Sequence, residues 1–312
     1  MNLNNELTKK LNITEKTGLE NADSPTLESD VPFQNKGYMP RELSVEERNK
    51  LESDNELVSE FKRRKFEQEA KKNWDLFYRR NKTNFFKDRY WTFREFDELN
   101  EDYSLIGESP IRKLLEIGCG VGNFMYPLLN HNKSIFVYAC DFSTDAINLL
   151  KSNAEYDTNR CHGFVCDITM ENSLRECLPQ NVEIDAVTLI FVLSAIHPDK
   201  MKKAVESIAQ VLRPGGIVFV RDYGMYDHSM IRFDKGHKLD EKFYVRQDGT
   251  RTFFFSLEEI ENLFTKPSPT GHLFHKSSNE YVFRETVNVK ENLRVPRVFI
   301  QSKFVRSNIP VL

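Results

Sequence analysis

The chain has no long hydrophobic run, no paired cysteines and no strong charge of either sign, and each absence removes a class of protein. No apolar stretch approaches the roughly 18 to 20 residues that a membrane helix needs, and the polar start lacks the core of a secretion signal. The expectation is a soluble cytoplasmic protein, with the nucleus as a second compartment. The five cysteines (Cys119, Cys140, Cys161, Cys166, Cys177) are odd in number and form no C-x-x-C pair, so they read as reduced, structural residues. The seven histidines show no ligand spacing, so no metal is expected, and His197, before Pro198 and Asp199, reads as shaping a loop. A formal net charge of −3 argues against coating nucleic acid through bulk charge, but leaves room for a local basic patch. At 312 residues the chain fits one large domain behind an N-terminal extension.

One missing glycine is informative. Residues 113–117 are a short apolar strand that runs into Gly118, Gly120 and Gly122 where a helix should begin. Such a turn lets backbone approach a ligand and presents helix N–H donors to it. A dinucleotide fingerprint G-x-G-x-x-G needs glycine at Asn123, whereas the chain has G-x-G-x-G after an acid, Glu116. The strand over 134–140 ends at Asp141, placed to take both ribose hydroxyls, although NAD enzymes use a similar acid. The strand over 163–166 ends at Asp167 and Ile168, an acid and an apolar residue suited to the adenine amino group and ring. A strand over 184–193, carrying Ile190, would close the cleft, and a turn at 212–216 leads into another at 217–221.

Helices are expected over 123–129, 143–153, 201–212 and 256–264, with an antiparallel pair, 279–284 and 297–304, closing the sheet. A lone glycine turn is equally well an ordinary strand-to-helix loop. With acids at two strand ends, the pattern resembles the class I S-adenosyl-L-methionine-dependent methyltransferases. That resemblance implies an α/β, Rossmann-like, mostly parallel seven-stranded sheet with helices on both faces, and S-adenosyl-L-methionine as cofactor.

Three regions emerge: a polar tail over 1–40 expected to be disordered, a basic and aromatic helical extension over 41–110, and a catalytic domain over 111–312. A helix starting at Ser44 is expected to run through Leu57, Phe61 and Phe66 toward Trp74. Between residues 61 and 100, twelve Lys and Arg face seven Asp and Glu, with Trp74, Tyr78, Phe85, Phe86 and Trp91 interleaved. That mixture fits a polyanion with exposed bases, RNA more than duplex DNA, or a solvated basic helix face. A polar, aromatic insert over 222–251 is where acceptor specificity is expected.

Methyl transfer from a sulfonium is an in-line displacement, so positioning and exclusion of water are the main tasks. The chain lacks the Asn-Pro-Pro-Tyr type tetrapeptide of many exocyclic-amine methyltransferases and has Ile190, Phe191, Val192, Leu193 and Ser194 there. A ring nitrogen such as cytosine N3 needs no base to free its lone pair, and its methylation leaves a cation that a carboxylate stabilises. Asp222 is the candidate for that role, or else caps a turn.

The blocks 73–78, 84–89, 116–123, 139–143, 191–195, 221–224, 244–250 and 283–286 are similar to the tRNA 3-methylcytidine methyltransferases over about residues 51–304. The likeness is strongest to the branch that modifies cytidine 32 in the anticodon loop of serine tRNAs. It implies that Trp74 and Tyr78 cover the cofactor beside Glu116, Gly118, Gly120, Asp141, Asp167, Ile168 and Ile190. It also implies that Arg89, Arg221, Tyr223, Arg246 and Arg251 meet RNA or base, each arginine having a structural salt bridge as its alternative. Seryl-tRNA synthetase is an implied partner, and a monomer is expected. Departures are Tyr90, where relatives have histidine, and residues 265–275, where Pro267 and Pro269 point to a loop rather than a strand. A methyltransferase of proteins or small molecules, and a non-catalytic module that binds tRNA or the synthetase, remain as alternatives.

Overall fold

The computed structural model describes residues 34–100, 111–267, 271–288 and 293–308. The extension opens with a strand, β1 (Asn35–Gly37), and three helices, α1 (Val45–Ser53), α2 (Glu60–Gln68) and α3 (Ala70–Asn81). The continuous helix expected from Ser44 is therefore broken twice. Ser44 and Glu47 do close a capping box that starts α1. Beyond Asp54 the chain instead turns extended, because Leu57 bridges Lys238 and the Val58 N–H donates to the Lys238 carbonyl at 2.8 Å. Pairing with the distant insert outcompetes local helix propensity. A short helix, α4 (Thr92–Glu95), completes the extension, and Trp91, Phe96 and Leu99 are buried in one core cluster with Leu114, Phe124 and Phe219.

Strands and helices then alternate: β2 (Lys113–Ile117), α5 (Met125–His131), β3 (Phe136–Asp141), α6 (Thr144–Ser152), β4 (Cys161–Val165), α7 (Ser173–Cys177), β5 (Ile184–Ile190), α8 (Pro198–Val211) and β6 (Leu212–Tyr223). Each βα crossover brings the next strand in parallel, so β2 pairs β3 and β5, β3 pairs β4, and β5 pairs β6 in parallel. His197 caps α8, its Nδ1 accepting from the Asp199 N–H at 3.3 Å with Pro198 in the first turn. The insert supplies α9 (His228–Ile231) and a separate three-stranded sheet of β7 (Lys238–Asp240), β8 (Phe243–Val245) and β9 (Arg251–Phe253). Helix α10 (Leu257–Thr265) and the antiparallel pair β10 (Phe274–Asn288) and β11 (Leu293–Arg306) finish the fold.

The main sheet has eight strands in the order β1-β10-β11-β6-β5-β2-β3-β4, one more than expected. The seven from β2 onward are the expected set. The eighth is β1, from the end of the region read as tail, with Asn35 opposite Phe283 and Gly37 opposite Tyr281; residues 1–33 lie outside those described. The loop expected over 265–275 is also shorter than anticipated. Residues 268–270 lie outside those described, but β10 begins at Phe274, anchored by packing of Phe264 on Phe274 (5.5 Å) and Phe304 (4.2 Å). Pro267 lies between α10 and β10, in no strand.

Asp227 holds the start of the insert to the sheet. It is fully buried, takes the Arg297 Nε at 2.9 Å and the Val298 N–H at 2.8 Å, and caps α9 through the Ser229 N–H at 2.8 Å. Removing one partner of a buried ion pair costs about 3–5 kcal/mol. Asp227→Ala is expected to lose stability of that order in urea unfolding; a loss under about 1 kcal/mol would show that the pair is dispensable.

Candidate active site

Strand order reverses at β2, with β3 on one side and β5 on the other, and at such a switch point the turn after the strand opens into a crevice. There Gly118, Gly120 and Gly122 adopt φ of +66°, +53° and +95°, a region that costs L side chains. A Cβ on Gly118 would meet Val192 Cγ2 at 2.4 Å, one on Gly122 the Tyr126 ring at 2.4 Å, and one on Gly120 the Tyr78 hydroxyl at 2.8 Å. The middle glycine thus faces the extension.

Two buried carboxylates flank the turn. Asp141 accepts the Gly120 N–H at 3.0 Å and the Ser143 N–H at 2.9 Å. Burial pushes it up to about 6, and those two bonds oppose the rise. Glu116 is equally buried, and its Oε2 has no hydrogen-bond partner among the described residues. Burial pushes Glu116 up to about 8, opposed by the Arg89 guanidinium. An orphaned oxygen in a cleft of bare backbone suits a ligand with a donor or positive charge, and fits the amino acid end of S-adenosyl-L-methionine.

Linkage gives that carboxyl a sign. Between the ordinary carboxyl value and about 8, folded Glu116 keeps a proton that the unfolded chain releases, so its contribution to stability falls as pH rises through that window. Glu116→Gln is therefore expected to raise Tm at pH 8 by about 5 °C, leave it unchanged near pH 4, and weaken cofactor binding. Scanning calorimetry at the two pH values checks this; an equal shift at both would rule out the protonation argument.

The lid comes from α3. Trp74 and Tyr78, one turn apart, line the cleft with Glu116, Gly118, Gly120 and Ile190, and Phe86, Arg89, Cys119 and Phe191 share the lining. Phe77, Tyr78, Phe85 and Phe86 pack on Val121 and Ala146, which seats the lid on the glycine turn. Asp75 fastens the same helix by accepting the Ser143 hydroxyl at 2.6 Å, and Asn73 Nδ2 donates to the Gly249 carbonyl of the insert at 3.0 Å.

Several expected contacts are placed differently. Asp167 is exposed, its Oδ1 taken by the Thr169 N–H at 2.9 Å and hydroxyl at 2.7 Å, and Ile168 is buried in the core; neither lines the cleft. Arg89 is half-buried in the cleft lining: its Nη1 donates to the Ile190 carbonyl at 3.0 Å and its guanidinium lies 5.2 Å from the Phe191 ring centre. Arg221 is 1% exposed, donates to Gln301 at 2.5 Å and stacks between Trp91 (4.9 Å) and Phe299 (5.0 Å). Arg251 is also buried and pairs with Glu67 of α2, so both arginines have protein partners of the kind that the alternative reading called for.

Arg246 and Tyr223 are half-buried, with the guanidinium 5.8 Å from the ring. Asp222 is fully buried, and it takes the Ser194 N–H at 3.0 Å and the Tyr223 N–H at 2.9 Å. It does not line the cleft; it holds the 191–195 turn against β6. Burial pushes Asp222 up to about 6, while its bonds to Ser194 and the Arg246 charge pull it down.

The sequence reading missed Phe191. Its φ of +59° is a rare conformation for an aromatic residue, and its ring contacts Tyr223 at 5.0 Å and Phe299 at 5.5 Å. It stands where the cleft meets the insert, and its N–H donates to the Arg221 carbonyl at 2.7 Å. Periodicity carries no trace of such a residue.

Residues 115–218 match the family described as Methyltransferase domain. The fold is similar to that of a SAM-dependent methyltransferase from Anabaena variabilis, with a TM-score of 0.56 and 12% identity over 76% of this chain and 95% of that one. The tRNA N(3)-cytidine methyltransferase METTL6 of Homo sapiens is 55% identical over 274 residues, 88% of this chain and 93% of that protein. The tRNA N(3)-cytidine methyltransferase METTL2 of Danio rerio is 38% identical over 306 residues, 87% of this chain and 85% of that protein. Likeness of this extent spans the extension, the glycine turn and the insert together, and the chain belongs to the tRNA N(3)-cytidine methyltransferases.

Proposed function

We propose that this S-adenosyl-L-methionine-dependent tRNA methyltransferase acts on N3 of cytidine 32 in the anticodon loop of serine tRNAs, as a cytoplasmic and nuclear monomer that works with seryl-tRNA synthetase. The observation that carries the tRNA reading is the seating of the basic, aromatic extension on the cofactor turn, with the Tyr78 hydroxyl over Gly120. Lys62, Arg64 and Lys65 on α2 and Lys72 and Arg80 on α3 are exposed, while Phe77 and Tyr78 of α3 are buried against the glycine turn. Among the described residues no helix is long and apolar enough to cross a membrane.

Bound in the cleft, S-adenosyl-L-methionine supplies a methyl group on a sulfonium. Trp74 and Tyr78 would cover it and exclude water, Gly118 and Gly120 would admit it, Glu116 and Asp141 would offer oxygens to its polar ends, and Ile190 would flank it. Phe191 and Tyr223 form the aromatic side on which an unstacked cytosine lies, since a base must leave its stack before its edge can react. Its N3 carries a free in-plane lone pair, so no residue would have to remove a proton for the base to accept the methyl group that the cofactor would supply. The product ring is cationic, and Asp222, ionised at neutral pH, stabilises it through the field of a buried charge while it holds the 191–195 turn.

The test is methylation of serine tRNA and of the same tRNA with uridine at position 32, with and without the synthetase, read as 3-methylcytidine by nucleoside mass spectrometry. Product from the first tRNA alone is expected. Equal labelling of both would overturn the assignment.

A further inference from the structure

The two longer helices of the basic segment are fastened to different parts of the molecule. Helix α2 goes with the insert: Glu67 pairs with Arg251, and Arg63 Nη1 donates to the Leu239 carbonyl at 3.3 Å. Just before it, the Val58 N–H holds the Lys238 carbonyl at 2.8 Å. Helix α3 goes with α6, which follows Asp141. Its Asp75 accepts the Ser143 hydroxyl at 2.6 Å, and its Arg79 Nε donates to Asp145 at 2.9 Å. Between the two helices stands Glu69, with φ −92° and ψ 8°, outside the α-helical range.

Asn73 crosses from the lid helix to the insert. It is buried beside Trp74 in the sequence, and its Nδ2 donates to the Gly249 carbonyl at 3.0 Å. Gly249 has a φ of +82°, and a Cβ there would meet Asn73 Nδ2 at 2.7 Å, so the amide lies directly on bare backbone. The turn that receives it is bonded to itself. The Gly249 N–H donates to the Arg246 carbonyl at 3.0 Å, the Arg246 N–H to the Thr250 carbonyl at 2.7 Å, and the Thr250 hydroxyl to Asp248 at 2.7 Å. Such a turn moves as a unit, and it carries Arg246, whose guanidinium lies 5.8 Å from the Tyr223 ring. A slide of the lid against the insert would strand a buried amide donor, which costs free energy.

We propose that Asn73 is a positioning residue for methyl transfer, whose amide ties the cofactor lid to the insert so that cofactor and tRNA bind cooperatively. A cofactor that orders Trp74 and Tyr78 fixes α3, Asn73 fixes the 246–250 turn, and RNA meets an insert already in place. By reciprocity, RNA held on the insert tightens the lid. The inference rests on the proposed reading that the insert meets the RNA, and names what connects that surface to the cofactor.

The full-length protein is titrated calorimetrically with S-adenosyl-L-homocysteine, which has no methyl group to transfer, first with seryl-tRNA synthetase alone and then with the synthetase and serine tRNA. The unaltered protein is expected to bind about tenfold tighter with tRNA, the scale of one buried hydrogen bond, and Asn73→Ala to bind within about twofold in the two titrations. Gly249→Ala, which drives a methyl into the same amide, is expected to lose the ratio as well. The double variant should lose no more of it than either single one, since all three break one contact. A side chain that only stabilised the fold would lower both affinities equally and leave the ratio unchanged. That outcome, or equal affinities with and without bound tRNA in the unaltered protein, would overturn the proposal. A serine tRNA that does not bind at all would overturn the reading of the insert as RNA-facing, and the proposal with it.

Discussion

Gly120→Ala is expected to weaken binding of S-adenosyl-L-methionine about a hundredfold and to suppress methylation in parallel. Two costs combine. The φ of +53° is worth roughly 1–2 kcal/mol against alanine. The new methyl also lies 2.8 Å from the Tyr78 hydroxyl, so the lid helix or the turn has to yield. That shift disturbs the Gly120 N–H held by Asp141 at 3.0 Å. Adding Tyr78→Phe separates the two costs, because the nearest remaining ring atom is 3.5 Å away, an ordinary contact. The double variant should recover about tenfold in affinity relative to Gly120→Ala, with Tyr78→Phe measured alone to close the cycle. No recovery would mean that Tyr78 does not sit over the turn.

Phe191 gives the second large effect, and it inverts a common ordering. Alanine is ordinarily the more stable residue of the alanine and glycine pair, because glycine has more chain freedom to lose. At φ +59° alanine keeps the backbone strain of the native residue, whereas glycine releases it. Phe191→Gly should therefore be more stable than Phe191→Ala by about 1 kcal/mol. Both should lose about a hundredfold in methylation rate, since the ring contacts Tyr223 at 5.0 Å and Arg89 at 5.2 Å beside the cleft. An alanine variant at least as stable as the glycine one would contradict the strained backbone. Full activity in either would remove Phe191 from the site.

What was legible before the fold was seen is what local chemistry dictates. The glycine turn, Glu116 and Asp141 were readable because a left-handed turn requires glycine and because strand ends have a regular spacing. The lid residues Trp74 and Tyr78 were named only through family resemblance; composition alone marked the segment as aromatic and basic. The surroundings of Arg221 and Arg251 are not legible in sequence, because an arginine near a site looks the same whether it meets a phosphate, stacks between Trp91 and Phe299 as Arg221 does, or pairs with a distant Glu67 as Arg251 does. The turn that Asp167 makes with Thr169 through its Oδ1 is not legible from its place at a strand end.

The sequence by itself determined the alternation of strands and helices, the glycine turn between the first strand and helix of that alternation and the cation excess of the extension, all of which arise from patterns within tens of residues. Only the tertiary structure decided that β1 joins the sheet, that α1 stops where Leu57 finds Lys238, that Tyr78 rests over Gly120 and that Phe191 is held at positive φ. Those features are set by groups far apart in the chain competing for the same space and hydrogen bonds, and that competition is resolved only when the core is packed.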